Sequence, residues 1–389
     1  HSAVSYNLRS EQARAVEETA DYAHLHERGE YLWNAKPRFG KTLTAYDLCK
    51  KLGASKVLIV TNRPAIANSW YDDYVKFLGI ESGYHFVSSA GSISKQPFVK
   101  TREEYLDYLR REREPKNFIT FVSLQDLKGS IRFGGGYEKL EWIADIEWDV
   151  LIVDEAHEGT QTELGKAVMQ ELTKANTKIL RLSGTPFNLL DDFKEDEIYT
   201  WDYVMEQRAK ASWDLTHFGD PNPYASLPTM NIYTYDLGRL LHEFVDEDVA
   251  FNFREFFRVN EAGNFIHEKD VKAFLNLISK EDKDSCYPFA NEEYRNIFRH
   301  TLWMLPGVKE ARAMSALLQS HPVFQHFKVV NVAGDGDEDE ESKDALAAVE
   351  EAIGKDPDAT RTITLSCGRV DNWCKCQSMD GRVHVVRLL

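Results

Sequence analysis

Cysteine is scarce in this 389-residue chain, and its five copies are scattered and odd in number. A disulfide framework uses paired cysteines in a small secreted domain, so we expect reduced thiols and a cytoplasmic protein. Long apolar runs are also missing, since no stretch approaches the ~18 residues of a membrane helix. The polar start, Ser2 to Arg14, lacks the pattern of a signal peptide. The sequence therefore predicts a protein without a membrane partner.

Positive charge is the other shortage, because the formal net charge is −16. This charge argues against a protein whose whole surface binds nucleic acid, but it allows a local basic groove. Hydrophobic residues make up 43% and charged residues 28%, an ordinary globular composition. The length is sufficient for two or three domains with their own cores.

The segment Ala35–Thr42 has the pattern of a phosphate-binding loop. It follows the apolar-aromatic run Tyr31–Trp33 and opens a helical pattern that continues to Lys51. In a strand–loop–helix of this kind, backbone N–H groups at the helix N-terminus favour an anion. Lys41 would add a positive charge for the β- and γ-phosphates, and the Thr42 hydroxyl would be a ligand for Mg²⁺.

Two later strands end in polar residues of complementary chemistry. The apolar run Val150–Val153 is followed directly by Asp154 and Glu155. Asp154 can hold Mg²⁺ through water, and Glu155 can orient and deprotonate an attacking water. A further strand ends in Ser183 and Thr185, whose hydroxyls suit a relay to a neighbouring domain, although a simple Ser/Gly/Pro turn would have the same composition.

The N-terminal segment admits two interpretations. Tyr6–Gln12 precedes an amphipathic stretch, so it can simply lead into a first helix with Ser10 as N-cap. The alternative is that the Gln12 amide hydrogen-bonds the edge of an adenine.

Taken in order, the motifs Leu-Arg-x-x-Gln, Ala-x4-Gly-Lys-Thr, Asp-Glu-Ala-His and Ser-Gly-Thr resemble the first RecA-like domain of superfamily 2 helicases and translocases. Within that superfamily the chain most resembles the DEAD/DEAH-box motor of large restriction-type proteins, such as type III Res subunits. The resemblance covers about residues 1–190. It implies an α/β fold, a RecA-like P-loop NTPase with a parallel sheet flanked by helices. It also implies ATP and Mg²⁺ as cofactors and a cleft between two RecA-like domains that closes and reopens during hydrolysis.

The resemblance assigns roles residue by residue, with Gln12 at the adenine. We predict nucleotide binding by Arg9, Gln12, Arg38, Phe39, Gly40, Lys41 and Thr42. We predict Mg²⁺ binding by Thr42 and Asp154, and catalysis by Lys41, Asp154, Glu155 and His157. His157 would also take part, with Ser183 and Thr185, in coupling to the neighbouring domain.

The loop departs from the family pattern at Arg38 and Phe39. Superfamily 2 loops usually carry glycine at the position of Arg38 and a small residue at that of Phe39, and glycine permits a turn that arginine adopts only at a cost. Either the loop has a different shape, or Arg38 itself touches the nucleotide or a partner domain.

Beyond residue 189 we predict three further segments. Residues 190–297 have helical stretches and aromatic residues typical of a mostly helical insertion. Residues 298–369 contain a strand–helix–strand pattern that fits the start of a second, incomplete RecA-like domain. Residues 370–389 lack a clear period. The first residue is His1, so we expect a piece of a longer reading frame.

A change of reading frame near Arg369 would account for the last segment. Read one nucleotide later with permitted codons, the tail can become Leu-Thr-Thr-Gly-Val-Ser-Val-Lys-Ala-Trp, which resembles the expected motif. Most of these letters depend on codon choice, but Trp373 before Cys374 forces the glycine and Met379 before Asp380 forces the tryptophan. The arginine finger expected later would then be missing, a loss of roughly 10³–10⁵ in rate, so we expect binding of ATP–Mg²⁺ with slow turnover.

The function we predict is that of an ATP-dependent DNA helicase or translocase motor from a restriction or phage-defence system. Its expected partners are double-stranded DNA in a local groove, the remainder of the motor, and nuclease or methylase domains outside this chain. An RNA helicase is one alternative. A nucleotide-switch scaffold with little hydrolysis is another, and polarity, sequence preference and oligomeric state are open.

Overall fold

The structure, a computed structural model, describes residues 3–112, 117–130, 135–136, 140–227, 252–334, 338–367 and 384–385. The chain forms two compact units, His1–Ala225 and Ser226–Leu389. Among the described helices, none combines the length and apolar character that crossing a membrane requires.

Continuous apolar runs build the sheet of the first unit. In the run of Lys56–Thr61 every residue after the first is buried, and in that of Val150–Asp154 all are buried. Such runs are typical of parallel strands that are covered on both faces. The eight strands are β1 Glu30–Ala35, β2 Lys56–Thr61, β3 Tyr84–Val87, β4 Val99–Lys100, β5 Asn117–Ser123, β6 Val150–Asp154, β7 Lys178–Ser183 and β8 Ile198–Trp201.

All strand pairs of this sheet are parallel, in the order β4-β3-β5-β2-β6-β7-β1-β8. Strand β7 therefore lies between β1, which precedes the predicted phosphate loop, and β6, which carries the predicted carboxylates. Asn34 is aligned with Ser183, and Thr61 with Asp154. The carboxyl ends of these strands consequently share one edge, where ligands bind in sheets of this kind.

Helices cover both faces of the sheet. Their bounds are α1 Ser10–Leu25, α2 Lys41–Lys51, α3 Ala67–Asp73, α4 Arg102–Glu112, α5 Leu124–Lys128, α6 Glu141–Asp145, α7 Glu163–Leu172 and α8 Tyr203–Thr216. Neighbouring residues of a strand face opposite sides, so Trp33 packs with α1, α2 and α3 while Leu32 packs with α5, α6 and α7. The predicted RecA-like sheet flanked by helices is confirmed.

The second unit has a smaller parallel sheet, in the order β10-β11-β9-β12. Its strands are β9 His300–Leu305, β10 Lys328–Asn331, β11 Thr362–Cys367 and β12 His384–Val385, and its helices are α9 Phe253–Phe256, α10 Glu268–Ser279, α11 Glu292–Ile297, α12 Val308–Ser320 and α13 Glu338–Ile353. Aromatic residues before the sheet, such as Phe256 and Phe289, share one core with Trp303 and Ile363.

The compact units divide the chain differently from the predicted segments. The predicted insertion 190–297 is split, because β8 pairs with β1 in the first unit and the helices from Phe253 onward share a core with the second sheet. Buried apolar side chains explain the split, because Tyr199 of β8 belongs to the core of the first sheet and Phe256 to that of the second. The predicted frame change near Arg369 and all of 370–389 except His384–Val385 lie outside the described residues.

Candidate nucleotide site

The phosphate loop runs from the end of β1 to the start of α2. Gly40 is the N-cap of α2 and has a left-handed φ of 85°. A Cβ at this position would lie 2.6 Å from Nε2 of Gln12, so only glycine fits. Arg38 has a left-handed φ of 69° and an exposed side chain. Arg38 thus adopts a backbone conformation that glycine favours.

The first motif holds this loop through one carbonyl. Arg9 Nη2 and Gln12 Nε2 each donate a hydrogen bond of 2.8 Å to the Phe39 carbonyl oxygen. Oε1 of Gln12 accepts from the Arg9 backbone N–H at 2.9 Å, and Gln12 is buried. The structure therefore places the Gln12 amide against the phosphate loop, while its role at an adenine stays a prediction.

The ring of Phe39 belongs to the core and not to the loop surface. It is fully buried and lies against Trp33 and Tyr199. A contact between this ring and a nucleotide is therefore excluded by its position, and only the Phe39 backbone is at the loop. The large side chain is tolerated here because it fills space beneath the loop, next to β1 and β8.

Lys41 and Thr42 occupy the first turn of α2, the part of a helix whose backbone N–H groups have no acceptor within the helix itself. Nζ of Lys41 donates to the Ala35 carbonyl at 2.8 Å. A Cβ built on Gly184 would lie 3.9 Å from the same Nζ. The Ser-Gly-Thr end of β7 is therefore beside the phosphate loop, as the sheet order requires.

Asp154 is oriented by a tryptophan that the sequence reasoning did not select. Nε1 of Trp70 donates to Asp154 Oδ2 at 2.8 Å, and the Glu155 backbone N–H donates to Oδ1 at 2.9 Å. Trp70 is fully buried and packs edge-on against Tyr46 of α2. Its indole belongs to α3 and reaches Asp154 only through the folded sheet, so no local sequence pattern indicates this contact.

Glu155 has the electrostatic setting of a general base. Burial raises the pKa of its carboxyl group and the Asp154 charge raises it further, while Lys41 and Arg63 lower it. A carboxylate with a raised pKa is a better proton acceptor near neutral pH. Glu155 also has a left-handed φ of 50°, an uncommon conformation that is often found at functional sites.

His157 and Ser183 connect β6 and β7 at the shared edge. Nδ1 of His157 lies 2.8 Å from Oγ of Ser183, which also accepts a bond of 3.1 Å from the Thr185 backbone N–H. The imidazole lies 3.6 Å from Glu155 and 3.7 Å from Glu158. Thr185 itself is exposed. The predicted coupling residues thus form a chain from the Glu155 carboxylate to the surface.

A second missed feature is the ion pair of Arg63 with Glu158. The guanidinium makes two hydrogen bonds to this carboxylate, at 2.8 and 2.6 Å, and both side chains are largely buried. Arg63 follows β2 and Glu158 follows the Asp-Glu-Ala-His motif, so the pair joins two neighbouring strand ends. The position of Arg63 just after a strand indicates a residue at the strand edge. The sequence does not indicate that Glu158 is its partner, because that depends on strand order.

The donor set fits a nucleotide with a divalent metal. A left-handed glycine at a helix N-terminus and the Lys41 ammonium suit phosphate oxygens. The Asp154 carboxylate and the half-buried Thr42 hydroxyl are hard oxygen ligands of the kind that Mg²⁺ prefers.

Comparison with known proteins agrees with this site. Residues 5–188 match the family model described as "Type III restriction enzyme, res subunit". This match agrees with the resemblance of the motifs to motor domains of the superfamily 2 helicase type, a class that uses a nucleotide and a metal. In this segment the chain is similar to the res subunits of type III restriction enzymes.

One curated relative is a putative type II restriction enzyme and methyltransferase, RM.MpnORF110P C-terminus, from Mycoplasma pneumoniae. It is 25% identical over 391 residues, which cover 84% of this chain and 52% of the relative. The chain therefore spans about half the length of the curated relative that it matches.

Two solved structures are also similar. The SWI2/SNF2 ATPase core of Sulfolobus solfataricus in complex with dsDNA is 12% identical, with a TM-score of 0.39 and coverage of 98% of this chain and 88% of that chain. The UvsW helicase of bacteriophage T4 is 16% identical, with a TM-score of 0.33 and coverage of 52% and 63%. Both TM-scores are low, and the fold assignment rests on the sheet and the family match.

Proposed function

We propose that this chain is part of an ATP-dependent motor that moves along double-stranded DNA in a restriction or phage-defence system. The observation that carries the proposal is the shared edge of β1, β7 and β6. There, the charge of the Lys41 ammonium lowers the pKa of the Glu155 carboxyl group, and the ammonium lies beside Gly184. A phosphate-binding cation and a partly buried base at one strand edge are the parts that phosphoryl transfer to water requires.

Each predicted residue except Phe39, whose ring is buried in the core, has a role consistent with its position. The N–H groups of α2 and Lys41 bind phosphates, and Thr42 and Asp154 hold Mg²⁺, which supplies neutralisation of phosphate charge when bound. Glu155 orients a water and takes its proton. His157, Ser183 and Thr185 transmit the state of the site to the protein surface. Arg9 and Gln12 keep the loop in shape, and Arg38 is available to the nucleotide or a partner domain.

The choice of DNA is supported by the restriction family of residues 5–188 and by the restriction and methyltransferase description of the relative. The relative extends well beyond the matched part, so we assign nuclease or methylase activity to segments or subunits outside this chain. A net charge of −16 restricts DNA contact to a local groove.

Phosphate release from ATP, measured with double-stranded DNA and with RNA, tests the proposal. We expect DNA to stimulate the release, and the stimulation to weaken as salt is raised, because phosphate contacts displace counterions. Stimulation by RNA alone would indicate an RNA helicase. Tight nucleotide binding without a response to either nucleic acid would indicate a nucleotide-switch scaffold.

Replacing Trp70 with phenylalanine is expected to raise the Mg²⁺ concentration that half-maximal activity requires. The substitution keeps an aromatic ring but removes the donor that orients Asp154. Partners of metal ligands typically contribute about 10–100-fold in metal affinity, and we expect an effect in this range. A Mg²⁺ titration of ATP-dependent phosphate release measures it.

Trp148→Phe is the matched control. Its indole is equally buried and donates to the Ile143 carbonyl at 2.9 Å, at the opposite end of β6. This variant loses the same N–H group and similar packing, so its Mg²⁺ requirement should be unchanged. Equal requirements in the two variants would show that Trp70 does not act through Asp154.

A further inference from the structure

Helix α8 follows β8 and lies outside the segment that matches the restriction family. All 14 of its residues are described, and among them only Glu206 is buried. The exposed side chains include the apolar Val204 and Leu215. A surface helix normally docks through an apolar stripe. This helix instead buries one carboxylate, and its Trp213 ring lies edge-on against the buried Tyr224.

The buried carboxylate faces the phosphate loop. Nζ of Lys36 lies 3.0 Å from Glu206 in an ion pair whose side chains are 17% and 1% exposed. The same ammonium donates to the Pro37 carbonyl at 2.9 Å. In addition, the Lys36 backbone N–H donates to the Trp201 carbonyl at 3.0 Å. Lys36 therefore ties the first part of the loop to β8 and α8.

A second connection reaches the other part of the loop. The hydroxyl of Tyr224 donates to Glu11 Oε2 at 2.6 Å, and Oε1 of Glu11 accepts from Arg9 at 2.5 Å. Arg9 in turn donates to the Phe39 carbonyl at 2.8 Å. Burial raises the pKa of Tyr224 to about 12, so the phenol keeps its proton and donates. Tyr224 and Glu11 are 2% and 3% exposed.

We propose that Glu206 and Tyr224 are positioning residues of the nucleotide site, which hold the phosphate loop in its binding shape through Lys36 and through Glu11 and Arg9. The proposal rests on the proposed function, because it assumes that the loop binds a nucleotide. It assigns a role in the motor to residues 198–224, which the restriction-family motifs do not include.

The ion pair of Lys36 with Glu206 suits a role in positioning the loop better than a role in stabilising the fold. A buried ion pair is often no more stabilising than apolar residues of the same size, because desolvation offsets the attraction. The advantage of a buried ion pair over apolar contacts is that its geometry is directional. The Lys36 ammonium must remain between Glu206 and the Pro37 carbonyl, which restricts the loop backbone next to Ala35, whose carbonyl accepts from Lys41.

The test measures the dissociation constant of a fluorescent ATP analogue, with Mg²⁺, for Glu206→Gln and Tyr224→Phe in the full chain. Both substitutions keep size and remove one connection. We expect each to weaken binding about tenfold, since small displacements of binding groups have effects of this order or larger. The double variant should be weaker than either single variant.

Two controls separate positioning from stability. Tyr199→Phe removes another buried phenol hydroxyl, which donates at 2.8 Å to the backbone carbonyl of Glu11 and not to its carboxylate. Asp202→Ala removes the N-cap of α8, which accepts from Met205 N–H at 2.8 Å, without touching Lys36. Unfolding midpoints without nucleotide give the stability of every variant. Together with the dissociation constants of the two controls, they show how affinity changes when only stability changes.

The outcomes are distinct. If the unsubstituted chain binds no nucleotide, the proposed function is wrong and this inference is wrong with it. If it binds and both variants bind equally well, the positioning role is overturned while the proposed function stands. If the affinity falls only in proportion to the loss of stability, as in the controls, the positioning role is also overturned. If Glu206→Gln does not fold, Tyr224→Phe decides the question by itself.

Discussion

Glu155→Gln is expected to lower ATP turnover by about 10²–10⁴-fold, the usual contribution of a positioned general base. Nucleotide affinity should be preserved, because the phosphate contacts belong to the loop and to Lys41. The glutamine keeps the shape of the side chain but accepts no proton from water. Phosphate release and the dissociation constant of an ATP analogue, measured on the same preparation, distinguish the two effects.

The pH dependence of turnover gives a second measure of the same residue. The pKa of Glu155 is raised chiefly by burial, so its basic form is lost at a higher pH than for an ordinary glutamate. We expect the acid side of the profile to lie above the usual glutamate range in the unsubstituted chain. The residual turnover of Glu155→Gln should lack this step.

Stability should change in the opposite direction to activity. Since the folded state raises the pKa of Glu155, its ionisation costs stability at any pH above that folded value. Glu155→Gln is therefore expected to raise the unfolding midpoint at neutral pH. The difference should vanish as the pH falls below the ordinary glutamate range, where the carboxyl group is protonated in both states.

Glu163→Gln is the control for this prediction, because the Glu163 side chain is 98% exposed at the start of α7. This substitution makes the same chemical change, and we expect it to leave turnover and stability unchanged. Undiminished turnover in Glu155→Gln would remove Glu155 from the role of base. A lower midpoint at neutral pH would show that its charge stabilises the fold.

Lys41→Met is expected to weaken nucleotide binding by about 10- to 150-fold. This range corresponds to the roughly 1.5–3 kcal/mol of a hydrogen bond that involves a charged group. Methionine retains most of the aliphatic length, and the bonds lost from the fold itself include those to the Ala35 and Lys36 carbonyls. Affinity should therefore decrease far more than stability.

Nucleotide-induced thermal stabilisation measures this effect, because a ligand that binds only the folded state raises stability according to its concentration relative to its dissociation constant. Lys51→Ala is the matched control at the other end of α2, where the ammonium lies 3.7 Å from Glu17 and is partly exposed. Equal stabilisation of Lys41→Met and the unsubstituted chain by ATP would contradict a phosphate-binding role for Lys41.

Local patterns in the sequence predicted much of the first unit. A continuous apolar run such as Val150–Val153 suits a strand buried on both faces, and Gly40 before a helical pattern indicates a loop that requires a left-handed residue. The chemical groups beyond the strand ends were equally predictable, because Lys41 lies in the loop and helix start after β1, and Asp154 and Glu155 lie at the end of β6. These features depend on residues close together in the chain.

The contacts that shape the site depend on strand order, which the sequence by itself did not determine. The position of β7 between β1 and β6 brings Ser183 to His157, and the position of β8 beside β1 buries Phe39 beneath the loop. Trp70 reaches Asp154, and Tyr224 reaches Glu11, across long separations in the chain.

The motifs thus determined which chemical groups this protein brings to a nucleotide, because each motif is short and its backbone geometry is local. Only the tertiary structure decided which side chains hold those groups in place. Donors such as the Trp70 indole and buried charges such as Glu206 acquire their partners only when the sheet aligns its strand ends. That alignment is produced by packing over both faces, to which residues throughout the unit contribute.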